Sequence, residues 1–263
     1  MIEERWALLL LGWAVAAVLQ AILYLRQRQT HDATLVDAGW AVSLALLALL
    51  YAVLAPGGLE HRALVAVLVS VESLRIAWLV GRRIGHGEDA RYAELRARWR
   101  VRGREQVRFA VLFQAQALAA ALLSLPFLLA AFNERDGLEP LEWAGGSLWV
   151  LAVSCEAVAD RQLASFKRRP DSAGRTMREG LWRYSRHPNY FFQWLTWVAY
   201  ALLALAAPYG WLGLSAPAAM LLLIVFVTGI PPAEEQALKS RGEDYRRYQR
   251  ETSAFVPLPP RPA

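Results

Sequence analysis

Gly180-Leu-Trp-Arg-Tyr-Ser-Arg-His-Pro-Asn-Tyr-Phe-Phe-Gln193 joins a basic, polar segment to a long apolar one. Pro188 suits the first turn of a helix, because the backbone donor it lacks has no intrahelical partner there. Ser185 or His187 is placed to cap that turn. The first N–H groups of such a helix point outward, and the macrodipole favours an anion beside them. Arg183, Arg186 and His187 crowd the same spot, so the junction reads as a receiver for a phosphorylated or carboxylated ligand at a membrane face.

Outward from this junction the chain is dominated by apolar runs of about 20 residues, the length that crosses a bilayer. Of the 263 residues, 56% are apolar and 11 are Trp. Seven segments stand out: Trp6–Leu25, Leu35–Ala55, Ala63–Val80, Val107–Phe132, Trp143–Phe166, Pro188–Ala207 and Trp211–Ile230. Pro56-Gly57-Gly58, Pro140 and Pro208-Tyr209-Gly210 punctuate the turns. The expected fold is all-α: a polytopic membrane protein, a seven-transmembrane-helix bundle with a cytoplasmic-side cofactor site and a C-terminal interfacial helix. Residues 1–263 are expected to form one integral membrane domain. The acidic N-terminus, with no clear small-residue cleavage site after its apolar run, marks the first segment as a retained helix rather than a signal peptide. Cys155 is the one cysteine, which excludes an internal disulfide and a thiolate metal cluster; it reads as a small buried apolar residue. No metal is expected.

The charge distribution sets an orientation. With the N-terminus outside and every segment crossing, 25 of the 29 Lys and Arg fall on the inner side, and Arg5, Arg62 and Arg135 on the outer. An asymmetry this large follows the positive-inside rule. The net charge of +6 therefore reflects membrane orientation, not nucleic-acid binding. The expected location is a bacterial inner membrane, with the C-terminus in the cytoplasm.

Charged groups at membrane depth are costly and face the bundle interior. Asp37, Glu72, Arg75, Glu156 and Asp160 all fall in the inner half or at the inner end of their segments. Glu72 and Arg75 are placed to pair. Glu156, Asp160 and Lys167 form one stripe, Asn189 and Gln193 lie one turn apart, and Glu234-Glu235 follow Pro231-Pro232. Five elements thus place polar groups at one depth. Two carboxylates on one face repel unless donors satisfy them, and a ligand's hydroxyls or amide would do so. The run Arg91–Arg108 suits anionic headgroups, while Gly87–Tyr92 reads as a folded loop over the site. Glu243–Thr252 reads as an amphipathic interfacial helix with Tyr245 and Tyr248 as headgroup anchors.

The set Gly180–Tyr190, Glu156…Asp160-Arg-Gln, Val36-Asp37-x-x-Trp40, Glu88-Asp-x-Arg-Tyr92 and Ala254-Phe-Val-Pro resembles a bacterial branch of the steroid 5-alpha-reductase superfamily (the 3-oxo-5-alpha-steroid 4-dehydrogenase-like C-terminal domain) over about residues 30 to 260. Arg186-His-Pro-Asn-Tyr190 is also similar, more distantly, to a motif of isoprenylcysteine carboxyl methyltransferases. The resemblance implies a reductase that takes NADPH from the cytosol and delivers a hydride to a double bond conjugated to a carbonyl. It implies cofactor contacts for Asp160, Lys167, Arg186, His187 and Asn189. Glu156, Arg183, Tyr184, Tyr190, Gln193 and Glu234, at the same junction or depth, complete the candidate cofactor site. Phe192 and Gln193 stand where the family carries Gly and Glu, and the family's Gln-Glu pair on the second helix is replaced by Asp37 and, nearby, Ser43.

The acid that polarises a substrate carbonyl must be a good donor near neutral pH, which a carboxyl in an apolar bundle is. Glu72 is the first candidate and Asp37 the second, although Arg75 opposes Glu72. Competing readings are an S-adenosylmethionine-dependent membrane methyltransferase and a non-catalytic membrane protein. The arginine-rich inner loops suit the phosphates of NADPH better than a sulfonium. The expected partners are a lipid-like small-molecule substrate and membrane lipids, with no obligatory protein partner.

Overall fold

The computed structural model describes residues 2–101 and 103–261; Arg102, part of the arginine-rich run, lies outside them. Among the described residues there is no strand. The helices are α1 (Ile2–Thr30), α2 (Leu35–Leu54), α3 (Leu59–Gly81), α4 (Ala90–Val101), α5 (Glu105–Leu123), α6 (Leu125–Ala131), α7 (Pro140–Lys167), α8 (Pro188–Leu205), α9 (Ser215–Leu222) and α10 (Ile230–Glu251).

Five stretches are long and apolar enough to cross a membrane: Glu4–Thr30, Leu35–Leu54, Leu59–Gly81, Glu105–Ala131 and Gly210–Glu251. They correspond to five of the seven expected spans and make this an integral membrane protein by length and composition. The fifth and sixth expected spans are helical, as α7 and α8, but fall short of that standard. α7 carries Glu142, Glu156, Asp160 and Arg161 along its length. α8 has 18 residues and opens on Asn189, Tyr190 and Gln193.

The chain divides into two compact units, Met1–Glu142 with Leu203–Gly213, and Trp143–Leu202 with Leu214–Ala263. In the first unit α2 packs along α3, and α1 lies against α5 and α2. Many buried positions are small, Ala41, Ala45 and Ala48 on α2 and Ala117, Ala120 and Ala121 on α5, set between the larger Leu44, Leu47, Tyr51, Phe109 and Phe113. Large apolar side chains such as Leu10, Val53, Trp78 and Val111 point outward. That inversion suits a bilayer, where lipid tails are as apolar as leucine and helices associate through close packing and polar ties. One such tie joins Tyr51 Oη to Ser124 Oγ at 3.0 Å, at the break between α5 and α6. At the α2–α3 turn the backbone presses on the end of α6. A Cβ on Gly57 would lie 2.4 Å from Ala131 O, and Gly58 N–H donates to Asn133 O at 2.8 Å.

In the second unit Trp149 Nε1 donates to Tyr200 Oη (3.1 Å) and Trp194 Nε1 to Pro217 O (3.0 Å). The apolar stretch after α9 loosens into a π-turn at Leu223–Val227 before Pro231-Pro232 start α10, which kinks at Gly242 (φ 53°). Two expectations need correction here. Tyr245 and Tyr248 are 3% and 2% exposed, because protein acceptors take their hydroxyls, so they are not headgroup anchors. Cys155 is half-buried on α7 rather than sealed in a core.

Candidate functional site

In the second unit α7 presents Glu156 buried, Asp160 half-buried and Lys167 exposed. Asn189, one residue into α8, donates from Nδ2 to Asp160 Oδ1 at 3.1 Å, so the expected α7 and α8 residues do meet. Gln193 follows one turn later, half-buried. The turn before α8 is fixed to α7 by three features. Gly180 has φ +58°, a conformation that L side chains rarely adopt, and a Cβ there would run into the Gln162 amide. Gln162 Oε1 instead accepts Leu181 N–H at 3.0 Å. Trp182 Nε1 donates to Ala159 O at 3.0 Å and its ring packs with Phe166 and Met177. Of the two cap candidates, Ser185 is used: its Oγ accepts His187 N–H (3.1 Å) and donates to Phe255 O (2.8 Å). The His187 ring stacks on Tyr190, with centroids 5.4 Å apart and planes 6° from parallel.

Arg186 turns away from the solvent. Its Nε donates to Glu234 Oε1 at 2.6 Å, and its Nη1 donates to Gln249 O (3.1 Å) and Thr252 O (2.5 Å). Glu234 also receives Gln249 Nε2 (2.8 Å) and the Tyr245 hydroxyl (3.3 Å), and lies 3.4 Å from His187 Nε2. Tyr248 Oη meets Trp182 O and Ser185 O. Arg186, His187 and Glu234 thus knit α10 and the tail onto the turn before α8. Arg161, Arg168 and Arg183 are exposed and carry no ion pair among the described residues, so their guanidinium groups are open to an anion. Tyr184 is exposed as well, with its carbonyl taking Leu258 N–H at 2.9 Å.

In the first unit Asp37 sits in the first turn of α2. It accepts the Tyr92 hydroxyl at 2.6 Å and Arg91 Nη2 at 2.9 Å. Burial, and then the negative charge of Asp37, push the Tyr92 phenol far above its ordinary range, so it keeps its proton. The segment that brings Tyr92 here is strapped over the α1–α2 turn. Glu88 accepts Ala33 N–H (2.9 Å) and two bonds from Arg96 (2.7 and 2.9 Å), while Thr34 Oγ1 accepts Asp89 N–H (3.0 Å). Arg96 is held further by Glu105 at 2.5 Å and Gln27 at 3.1 Å. Glu72 is buried with both oxygens on Arg75, at 2.8 and 2.9 Å. It shares no bond with Asp37.

Sequence reasoning placed a folded loop at Gly87–Tyr92 but did not single out Tyr92; its position one residue after an arginine in Glu88-Asp-Ala-Arg-Tyr92 was the available signal. Among the described residues no group of three or more His, Cys, Asp or Glu is arranged to hold a metal ion. A protein-family model described as Protein of unknown function (DUF1295) matches residues 23–252. No curated protein and no solved structure matches the chain.

Proposed function

The chain belongs to the DUF1295 family, which is steroid 5-alpha-reductase-like, and from that premise we propose that it is a membrane-embedded, NADPH-dependent reductase of a conjugated carbon–carbon double bond in a lipid-like enone. The observation that carries this reading is the Asp160–Asn189 hydrogen bond at the start of α8, in a unit that also exposes Arg161, Arg168 and Arg183, which carry no ion pair among the described residues. A pyrophosphate and a 2′-phosphate require several such cations, and guanidinium forks suit phosphate oxygens. NADPH, when bound, supplies the hydride. Asn189, its amide fixed by Asp160, orients the carboxamide end, and Lys167 adds to the positive field. In the first unit the Tyr92 hydroxyl, held by Asp37, keeps its proton and is a donor suited to a carbonyl oxygen. Glu72 is less suited to that role because Arg75 takes both its oxygens.

The charge asymmetry supports a cytoplasmic location for these arginines and an outer N-terminus. A lipid-like substrate reaches such a protein from the bilayer, so no protein partner is required to deliver it.

Thermal denaturation of the detergent-solubilised chain with NADPH, NADH and S-adenosylmethionine tests the reading, since a ligand stabilises what it binds. NADPH is expected to raise Tm more than NADH does. Arg183→Ala is expected to weaken NADPH by about tenfold, the loss of one charge-assisted contact. A rise with S-adenosylmethionine and none with NADPH would replace this reading with the methyltransferase one.

A further inference from the structure

The junction of α3 and α7 holds a second titratable pair, which the reductase reading does not use. His61, the third residue of α3, is 0% exposed, and Glu142, in the first turn of α7, is 1% exposed. Glu142 Oε1 lies 2.7 Å from His61 Nδ1, and Arg135 O lies 2.9 Å from Nε2. A carbonyl oxygen only accepts, so Nε2 carries a hydrogen. One further proton must then lie between Nδ1 and Glu142, either on the ring facing a carboxylate or on the carboxyl facing a bare ring nitrogen. Without it, two lone pairs meet at 2.7 Å in a site closed to water, and a buried charge is left unpaired.

The neighbours supply no substitute for that proton. Asn133 Nδ2 stands 3.4 Å from Nδ1, too far to relieve the contact with Glu142. Glu142 Oε2 accepts Glu139 N–H at 2.9 Å. Glu60, next to His61, accepts Gly137 N–H at 2.9 Å. The nearby cations are engaged elsewhere: Arg62 donates to Ala52 O at 2.9 Å, and Arg135, largely exposed, pairs with Glu139 at 3.2 Å.

We propose that His61 and Glu142 form a buried binding site for one exchangeable proton, which latches the start of α7 and the Asn133–Gly137 turn onto α3. His61 stands at the end of α3 opposite Arg82 and Arg83, so the proton exchanges with the compartment on that side. The latch lies within the first unit and stands whether or not the second binds NADPH. A proton held only in the folded state stabilises at low pH, and that stability is lost as pH rises.

The test is the melting temperature of the full chain beside that of Glu142→Gln from about pH 7 to about pH 10, a range above that in which a free imidazole titrates. In this variant the amide donates to Nδ1 of a neutral imidazole, so the network needs no extra proton. The unmodified chain is expected to lose about tenfold in folding equilibrium per pH unit over the range in which the folded chain holds the proton and the unfolded chain does not, and the variant to lack that slope. Equal slopes, or no slope in the unmodified chain, overturn the proposal. Should Glu142→Gln not fold, ¹⁵N spectra of histidine-labelled unmodified chain decide. At about pH 8, where a free imidazole is neutral, the ¹⁵N resonances read beside the ¹³C carboxyl resonance of Glu142 are expected to show a proton on His61 Nδ1 or, with Nδ1 bare, on the Glu142 carboxyl, and a bare Nδ1 beside an ionised Glu142 overturns the proposal.

Discussion

Arg186 and Glu234 are 48 residues apart in sequence and meet at 2.6 Å between Nε and Oε1. The contact divides Arg186-His-Pro-Asn-Tyr190 between two tasks: Arg186 and His187 hold α10 and the tail, and Asn189 reaches back to Asp160. Glu234→Gln keeps the shape but removes the charge that collects Arg186, His187, Tyr245 and Gln249. A loss of about 2 kcal/mol is expected for a partly buried pair, or a fall in Tm of about 4–8 °C. Carboxypeptidase digestion of the tail should accelerate with it. Arg186→Lys loses the fork and should behave alike, while changing NADPH affinity less than Arg183→Ala does.

The Asp37–Tyr92 pair separates two candidate acids. Tyr92→Phe removes one oxygen and leaves the strap from Glu88 to Arg96 intact. Reduction of an enone by the purified chain should fall about 10²- to 10³-fold, the usual cost of a lost donor to a developing oxyanion, with the NADPH-induced rise in Tm unchanged. Glu72→Gln should cost far less turnover, and its effect should appear in stability, because the buried carboxylate that Arg75 grips at two oxygens is gone. A larger turnover loss for Glu72→Gln than for Tyr92→Phe would restore Glu72 as the acid.

The difference between these two carboxylates explains how much was legible beforehand. Hydropathy runs need no tertiary information, so the all-helical class and five apolar membrane-length stretches followed from the chain alone, whereas α4 and the break between α5 and α6 did not. The Glu72–Arg75 pair is one helical turn, and Asp160 and Asn189 were aligned by depth, so these were legible too. Tyr92 was not, because the strap that carries it to Asp37 is fixed by Glu88, Asp89 and Arg96 reaching α1, the α1–α2 turn and α5, which no local spacing encodes. Tyr245 and Tyr248 misled for the reverse reason. A tyrosine on an amphipathic helix faces headgroups unless a protein acceptor is nearer, and here Glu234 Oε1 takes the Tyr245 hydroxyl and Trp182 O and Ser185 O take that of Tyr248.

The strap should also respond to acid. Burial raises the Asp89 carboxyl, but hydrogen bonds from the Arg91 side chain and backbone, with the charges of Arg91 and Arg83, outweigh it and hold the group below its ordinary value of 3.8. A depressed carboxylate contributes stability that is full above its unfolded value and is lost as pH falls through the folded one. Amide protection across 88–96 should therefore be constant from neutrality down to about pH 5 and decline below about pH 4. Asp89→Asn should show the low protection at every pH. Hydrogen exchange read by mass spectrometry at matched intrinsic rates distinguishes the two profiles.

Two glycines should answer the same substitution with opposite sign. At Gly57 a Cβ would stand 2.4 Å from Ala131 O and 2.5 Å from Asn133 O, both backbone atoms, so no side-chain rotation relieves the overlap. Either the α2–α3 turn lifts off the end of α6, losing the Gly58 N–H bond to Asn133 O, or α6 shifts and strains the Tyr51–Ser124 tie. Gly57→Ala should cost about 2–3 kcal/mol, in the range of overpacking. Gly146 lies inside α7 with nothing within 4 Å of its Cβ position, and its φ is that of an ordinary helix. There the added methyl meets open space and reduces the freedom of the unfolded chain, so Gly146→Ala should stabilise by about 0.5–1 kcal/mol. Tm values of the two variants, measured in the same detergent, should fall on either side of the unmodified chain. A neutral Gly57→Ala would mean that the turn does not press on α6 as closely as the 2.4 Å approach requires.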